Sequence, residues 1–168
     1  MATATTRGYT VARYNRRQPW PAGSERFVIA ALRDMADLED MINALRRQSI
    51  EGRRRGLLAQ WWEPLAETAG SLRDNGRELE YYYLEDPRSS LAWKTATKKL
   101  LQVAALIGDY LRESKAEYKR KNYKGVGIYF EWIEQHILDM REALTTIPFE
   151  NDVVAEAERI AREALNDG

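Results

Sequence analysis

The stretch VIAALRDMADLEDMINAL, residues 28–45, decides the fold class of this 168-residue chain. Its apolar residues recur at alternating spacings of three and four, which places them on one stripe of an α-helix. The stripe consists of Val28, Ala31, Met35, Leu38, Ile42 and Leu45. Because such a stripe usually faces the core of a helix bundle, we expect a helix of about 24 residues packed against others.

Stripes with the same spacing follow along the chain and predict further helices. They are Leu58, Trp61, Leu65, Ala69 and Leu72; Trp93, Thr97, Leu100, Ala104, Ile107 and Leu111; and Phe130, Ile133, Ile137, Met140 and Leu144. A short acidic amphipathic helix is expected from Asn151 or Asp152 to the C-terminus. The sequence therefore predicts an all-α fold, an antiparallel bundle of four to five helices formed by residues 24–168.

Punctuating residues suggest where these helices begin and end. Ser24 and either Ser89 or Ser90 are the side chains expected to cap helix N-termini. Asn75-Gly76 is a helix-stop signal. The tyrosine-rich segment after it is compatible with either a helical turn or an edge strand. The glycines and arginines of residues 49–56 favour a helix break.

Three positions within the predicted helices carry specific expectations. Trp61 is expected in the core and Trp62 at an edge or interface, since neighbours on a helix point about 100° apart. Pro64 is harmless if its helix begins near Glu63, and otherwise produces a kink. Gly108 inside a helix indicates a tight helix crossing.

The composition excludes most catalytic schemes. The chain has no cysteine and one histidine, His136, which is expected on the flank of a helix. The sequence contains no nucleotide-binding glycine motif, no serine-hydrolase motif and no zinc-binding HExxH. No apolar run approaches the roughly 18 residues that span a bilayer. We therefore expect a protein that is not an enzyme and that uses no cofactor, metal or small-molecule substrate.

Charge is unevenly distributed, although the 26 basic and 26 acidic residues cancel. Residues 1–24 hold four arginines and no acid, residues 46–55 hold five arginines and one glutamate, and residues 112–124 hold six bases and two acids. Residues 131–168 hold ten acids and three arginines. Such a polarised molecule can turn its basic side to a polyanion and its acidic side to solvent or to another copy.

The first 23 residues are predicted to form an extended basic arm. Pro19 and Pro21 fix φ and remove two backbone donors, so this segment is not a helix. It has too few aliphatic residues to fold alone, and a polyanion would supply partners for its guanidinium groups and rings. An ordinary frayed terminus is the alternative. The arm residues expected to bind nucleic acid are Arg7, Tyr9, Arg13, Tyr14, Arg16, Arg17 and Trp20.

The segment RGYTVARYNRRQPWP at residues 7–21, followed by the helical stripes from Val28 onward, resembles the major capsid proteins of filamentous and rod-shaped archaeal viruses. The resemblance lies in the architecture of the whole chain, an extended basic segment before an antiparallel helix bundle. It implies a dimeric building block, with itself or a homologous second coat protein, that polymerises helically around double-stranded DNA in the A form. It also implies a place in the virion after assembly in the host cytoplasm.

Carried onto this chain, the resemblance implies sequence-independent contacts between arginines and phosphates. The further candidate residues are Arg46, Arg47, Arg53, Arg54 and Arg55 at the first basic corner, and Lys119, Arg120, Lys121 and Lys124 at the second. Two other functions stay open from the residues alone. One is an RNA-binding helical subunit of a ribonucleoprotein, such as a CRISPR effector, and the other is a protein–protein adaptor.

Overall fold

The computed structural model describes residues 19–51, 55–149 and 153–167, and within these ranges it contains helices and no strand. Five α-helices are present: α1 (Glu25–Leu45), α2 (Trp62–Glu85), α3 (Leu91–Lys119), α4 (Tyr123–Thr145) and α5 (Val153–Asp167). A π-helical segment (Arg46–Glu51) and a 3-10 helix (Arg55–Gln60) lie between α1 and α2. The predicted all-α helix bundle is confirmed.

Consecutive helices of the bundle run antiparallel. The Tyr82 hydroxyl near the end of α2 donates to the carbonyl of Gly23 before α1 at 3.1 Å. The rings of Trp62 and Tyr118 lie 5.9 Å apart, which joins the start of α2 to the end of α3. Arg141 of α4 donates to Glu39 of α1 at 3.1 Å, so α4 closes the bundle against α1. The fifth helix packs mainly on α1.

The stripe of α1 forms one wall of the core. All six of its predicted residues are buried, together with Leu32. A regular α-helix ends at Leu45, and the chain then continues through the π-helical segment, as the glycine-rich and arginine-rich composition of the following residues suggested.

The second helix is longer than the sequence predicted. Asn75-Gly76 does not stop it: α2 runs through both residues to Glu85, and the tyrosine-rich segment is its last two turns. Gly76 is there because α3 passes close by, where a Cβ on this residue would lie 2.9 Å from Leu101 Cδ2. The glycine that resembled a stop signal is therefore a site of close helix packing.

The expectations for the two adjacent tryptophans were wrong and are reversed in the structure. Trp62 is buried in the core, whereas Trp61 precedes α2 and is 38% exposed. Because α2 begins at Trp62, Pro64 lies in its first turn and produces no kink. The tight crossing expected at Gly108 is also wrong, since only Arg112 Nη1, at 3.9 Å, would lie within 4 Å of a Cβ there.

The two predicted serine caps differ in what their side chains do. Ser90 caps α3, with its Oγ accepting from the Trp93 N–H at 3.1 Å. Ser24 stands at the N-cap position of α1 but donates its hydroxyl to the Pro21 carbonyl at 2.7 Å. The Ser24 side chain therefore closes the turn that leads into α1 and does not cap the helix.

Candidate nucleic-acid interface

The last residues of the predicted arm belong to the core of the bundle. Trp20 is 1% exposed and packs among Leu79, Tyr83 and Trp93. Its ring is therefore inaccessible to a nucleic acid, and the expectation that Trp20 binds nucleic acid is corrected. Burial of a large apolar ring is the physical reason, since Trp20 removes more apolar area from water here than an exposed contact would. We call residues 19–24 the anchor segment.

The anchor segment fixes where the preceding chain leaves the bundle. The Trp93 Nε1 donates to the Pro19 carbonyl at 2.9 Å, and the Trp20 N–H donates to the Pro148 carbonyl at 3.0 Å. Residues 1–18 therefore join the bundle between the start of α3 and the end of α4. The remaining arm candidates, Arg7, Tyr9, Arg13, Tyr14, Arg16 and Arg17, lie outside the described residues.

The two predicted basic corners meet at the opposite end of the bundle. The chain after α1 and the turn from α3 to α4 are adjacent because the helices alternate in direction. Ile50 Cγ2 would lie 3.7 Å from a Cβ on Gly127, and the rings of Trp62 and Tyr118 pack between the two segments. We call this region, residues 46–51, 55–60 and 115–127, the basic end.

The α3–α4 turn holds a lysine in an unusual backbone conformation. Lys121 has φ 63°, in the left-handed region, and directly follows the helix C-cap Arg120. The Asn122 N–H donates to the Glu117 carbonyl at 2.9 Å, and the Lys121 N–H donates to the Tyr118 carbonyl at 3.0 Å. This helix-ending motif usually takes glycine at the left-handed position, since a Cβ there costs roughly 1–2 kcal/mol.

The candidate bases of the basic end differ in whether they already have partners. Arg46 forms an ion pair with Glu134, and Arg120 donates to Glu117 at 2.7 Å. These two guanidinium groups are therefore held by carboxylates of their own chain.

Four other candidates are exposed and form no ion pair with any residue that the structure describes. They are Arg47, Lys119, Lys121 and Lys124. The side chains of Arg53, Arg54 and Arg55 lie outside the described residues. Four of the nine predicted bases thus remain as positive groups directed to solvent.

The partly buried pair at this end is electrostatically compensated. Burial raises the pKa of the Glu134 carboxyl, and the charge of Arg46 and its hydrogen bond lower it. Arg46 therefore serves to neutralise a desolvated carboxylate, which gives it a structural explanation without a ligand.

A row of lysines on α3 was not among the sequence candidates. Residues 87–108 contain no Asp or Glu, and within them Lys94, Lys98 and Lys99 are all exposed. Helical spacing places Lys94 and Lys98 on the same face as Arg112, Lys115 and Lys119. The signal that could have found this row is the acid-free run of 22 residues. We call this face the basic face of α3.

Acidic groups collect on other sides of the bundle. Exposed carboxylates on α4 are Glu131, Asp139 and Glu142, and on α1 and α5 they include Asp37 and Glu163. Five more exposed carboxylates lie on α2, and one of them, Glu63, lines the same groove as Arg112 and Lys115, so the basic face of α3 also has negative charge beside it on the α2 side.

Other kinds of site find little support among the described residues. They include no cluster of three or more histidine and carboxylate ligands, and none of the described helices is long and apolar enough to cross a membrane. A groove of about 630 Å³ between α2 and α3 is lined by small and apolar residues and by five charged ones, Glu63, Arg73, Asp109, Arg112 and Lys115. No family model, curated protein or solved structure matches the chain.

Proposed function

We propose that this protein is a non-catalytic structural nucleoprotein, a coat subunit that polymerises with copies of itself, or with a homologous second coat protein, around double-stranded DNA. The bundle holds the basic face of α3 and the basic end against phosphates. Residues 1–18 add four arginines without an acid. Contacts of this kind read charge and backbone shape and do not depend on base sequence.

The observation that carries the proposal is the course of the basic face. Lys94 lies one residue from Trp93, which holds the anchor segment, and Lys119 lies at the basic end. Lys119 is 25 positions after Lys94, which corresponds to about 37 Å of helix at 1.5 Å per residue. The bases form two groups on this face, Lys94 and Lys98 near the exit of the arm and Arg112, Lys115 and Lys119 towards the basic end, with Leu101, Ala105 and Gly108 between them. Duplex DNA carries about one charge per 1.7 Å of its axis, so one duplex lying along α3 offers phosphates to both groups.

The first experiment removes two charges from the basic end. Lys121→Gln with Lys124→Gln should weaken binding to a random-sequence DNA duplex. The slope of log K against log salt should become less steep by about 0.9 per lost phosphate contact. Arg26→Gln with Arg33→Gln is the matched control, because both arginines are exposed on the first half of α1, which packs on α2, α4 and α5 rather than on α3. An equal loss of slope in the control variant would contradict a localised interface.

The second experiment tests assembly. Deleting residues 1–18 retains the anchor segment, so the shortened chain should keep the helical circular dichroism spectrum and the cooperative thermal unfolding of the bundle. Electron microscopy of the full chain with double-stranded DNA should show filaments, and the deleted chain should form none. Filaments of equal length and number from both chains would refute the role of the arm.

A further inference from the structure

A cluster of aromatic rings lies on the surface between α3 and α4. Tyr110 of α3 is 5.5 Å from Trp132, 5.8 Å from Tyr129 and 5.7 Å from His136, all measured between ring centroids. Tyr129 and Trp132 also meet edge to face at 5.3 Å. Trp132 is 48% exposed, and Ile128, one turn before it, is 38% exposed. We call these four rings the aromatic ridge.

The charges next to the aromatic ridge are mainly negative. Exposed carboxylates on the two helices are Asp109, Glu113, Glu131, Asp139 and Glu142. The exposed bases outside the basic face of α3 are Lys99 and Lys124, whereas the other exposed bases of α3 lie on that basic face, on the side of the helix away from Tyr110. Only Asp109 among these acids has an ion pair within the described chain, with Arg112. Such surroundings repel phosphates and favour a cationic ligand, whose guanidinium groups can also stack on Trp and Tyr faces.

We propose that residues 1–18 of the same chain dock along the α3–α4 face, with arginines of this segment over the aromatic ridge. The segment has the complementary chemistry, since it carries four arginines, two tyrosines and no acid. This inference goes beyond the proposed function and does not rest on it, because it concerns the protein without nucleic acid.

The position of the anchor segment makes this docking geometrically direct. Pro19 and Trp20 are held by Trp93 and Pro148, at the end of the α3–α4 face where α3 begins and α4 ends. From Pro148 to Trp132 is 16 residues of chain, most of it in α4, or about 24 Å at 1.5 Å per residue. Since an extended chain covers about 3.3 Å per residue, seven residues span this distance and bring Arg13 to the level of Trp132.

The absence of cysteine allows a direct test with the full chain. A nitroxide spin label on Ala12→Cys should broaden the backbone NMR signals of Tyr129, Trp132 and His136 in nucleic-acid-free protein. The broadening can come from a spin label on the same chain or on another copy. Mixing spin-labelled unenriched chains with unlabelled ¹⁵N-enriched chains distinguishes the two, because only a label on another copy can broaden signals in the mixture. Docking within one chain predicts no broadening in the mixture. Broadening that persists in the mixture at full strength would assign the face to the arm of a second copy and overturn the proposal.

Two variants identify the contacts. Trp132→Ala should reduce the broadening at least several-fold, whereas Trp61→Ala, which removes an exposed ring elsewhere, should leave it unchanged. Glu113→Lys with Asp139→Lys keeps every ring and reverses two charges, and it should also abolish the effect. Unchanged broadening in both Trp132→Ala and the charge-reversal variant, or no broadening in the parent chain, would refute the docking.

Discussion

Gly76 lies so close to Leu101 that a Cβ added to this glycine would be 2.9 Å from Leu101 Cδ2 and 3.3 Å from Cγ. The contact explains how α2 and α3 approach each other near the middle of the bundle. A second glycine of α2, Gly70, provides a comparison, because a Cβ added to Gly70 would have no atom within 4 Å.

We expect the two glycines of α2 to respond differently to alanine. Gly70→Ala should raise the free energy of unfolding by about 1 kcal/mol, because alanine favours the helix and meets nothing. Gly76→Ala gains the same helix propensity, but its Cβ displaces the Leu101 side chain. Its free energy of unfolding should therefore be lower than that of Gly70→Ala by roughly 1 kcal/mol or more. Urea denaturation followed by circular dichroism measures both.

The control for this pair removes the obstacle. In a Leu101→Ala background the two glycine substitutions should have nearly equal effects. A difference between them that persists without the Leu101 side chain would show that helix packing is not its cause.

The same glycine shows why part of the fold could not be read from the sequence. In α2 the core positions are Trp62, Leu65, Ala69, Leu72, Gly76, Leu79 and Tyr83, at regular spacings of three and four. Because glycine adds no apolar signal, the stripe was expected to end at Asn75-Gly76. The predicted stripe also contained Trp61 where the core position is Trp62, whereas Leu65, Ala69 and Leu72 were assigned correctly. By contrast, the stripes of α1, α3 and α4 contain no such gap and were predicted correctly.

The candidate site was predictable to a similar extent. Charge runs identified the two basic corners, but only the antiparallel packing of the helices shows that they share one end of the bundle. Trp20 was assigned to the arm because of its basic neighbours, and its burial depends on contacts with Leu79 and Trp93, more than 50 residues away. Lys94 and Lys98 were not taken as candidate residues because lysines spaced along a helix are less conspicuous than a dense run of bases.

The burial of Trp20 predicts a large effect on stability. Trp20→Ala should lower the free energy of unfolding by roughly 3–5 kcal/mol, the usual cost of removing a buried aromatic ring. Trp61→Ala, at a 38% exposed tryptophan, should cost below about 1 kcal/mol. Chemical denaturation compares the two. Similar small losses in both variants would show that the anchor segment contributes little to the core.

Asp34 predicts a pH dependence of stability. Burial raises the pKa of this α1 carboxyl, opposed by hydrogen bonds from Ser71 and from Asn75, whose Nδ2 donates at 2.9 Å. Because the folded pKa exceeds the ordinary value of 3.8, the folded state binds more protons between the two values. The contribution of Asp34 to stability therefore falls as pH rises through this window.

The substitution Asp34→Asn removes this titration and keeps an oxygen that can accept from Asn75. Its free energy of unfolding, relative to that of the parent chain, should rise as pH increases from below 3.8 to 7. Thermal melts at several pH values measure the difference, and the melts below pH 3.8 serve as the internal control. A relative stability that stays constant or falls with pH would contradict the assigned cause.

Substitutions at Lys121 distinguish the effect of backbone strain on stability from the effect of its charge on DNA binding. Its φ of 63° disfavours any residue with a Cβ, so Lys121→Gly should raise the free energy of unfolding by about 1 kcal/mol, whereas Lys121→Ala should not. Both substitutions remove the same positive charge. If this lysine contacts phosphate as proposed, the two variants should lose DNA affinity equally, by an amount that shrinks as salt increases. Fluorescence anisotropy with a labelled duplex, read beside thermal melts, resolves the two effects. An affinity loss in only one variant would indicate that the turn conformation, and not the charge, governs binding at the basic end.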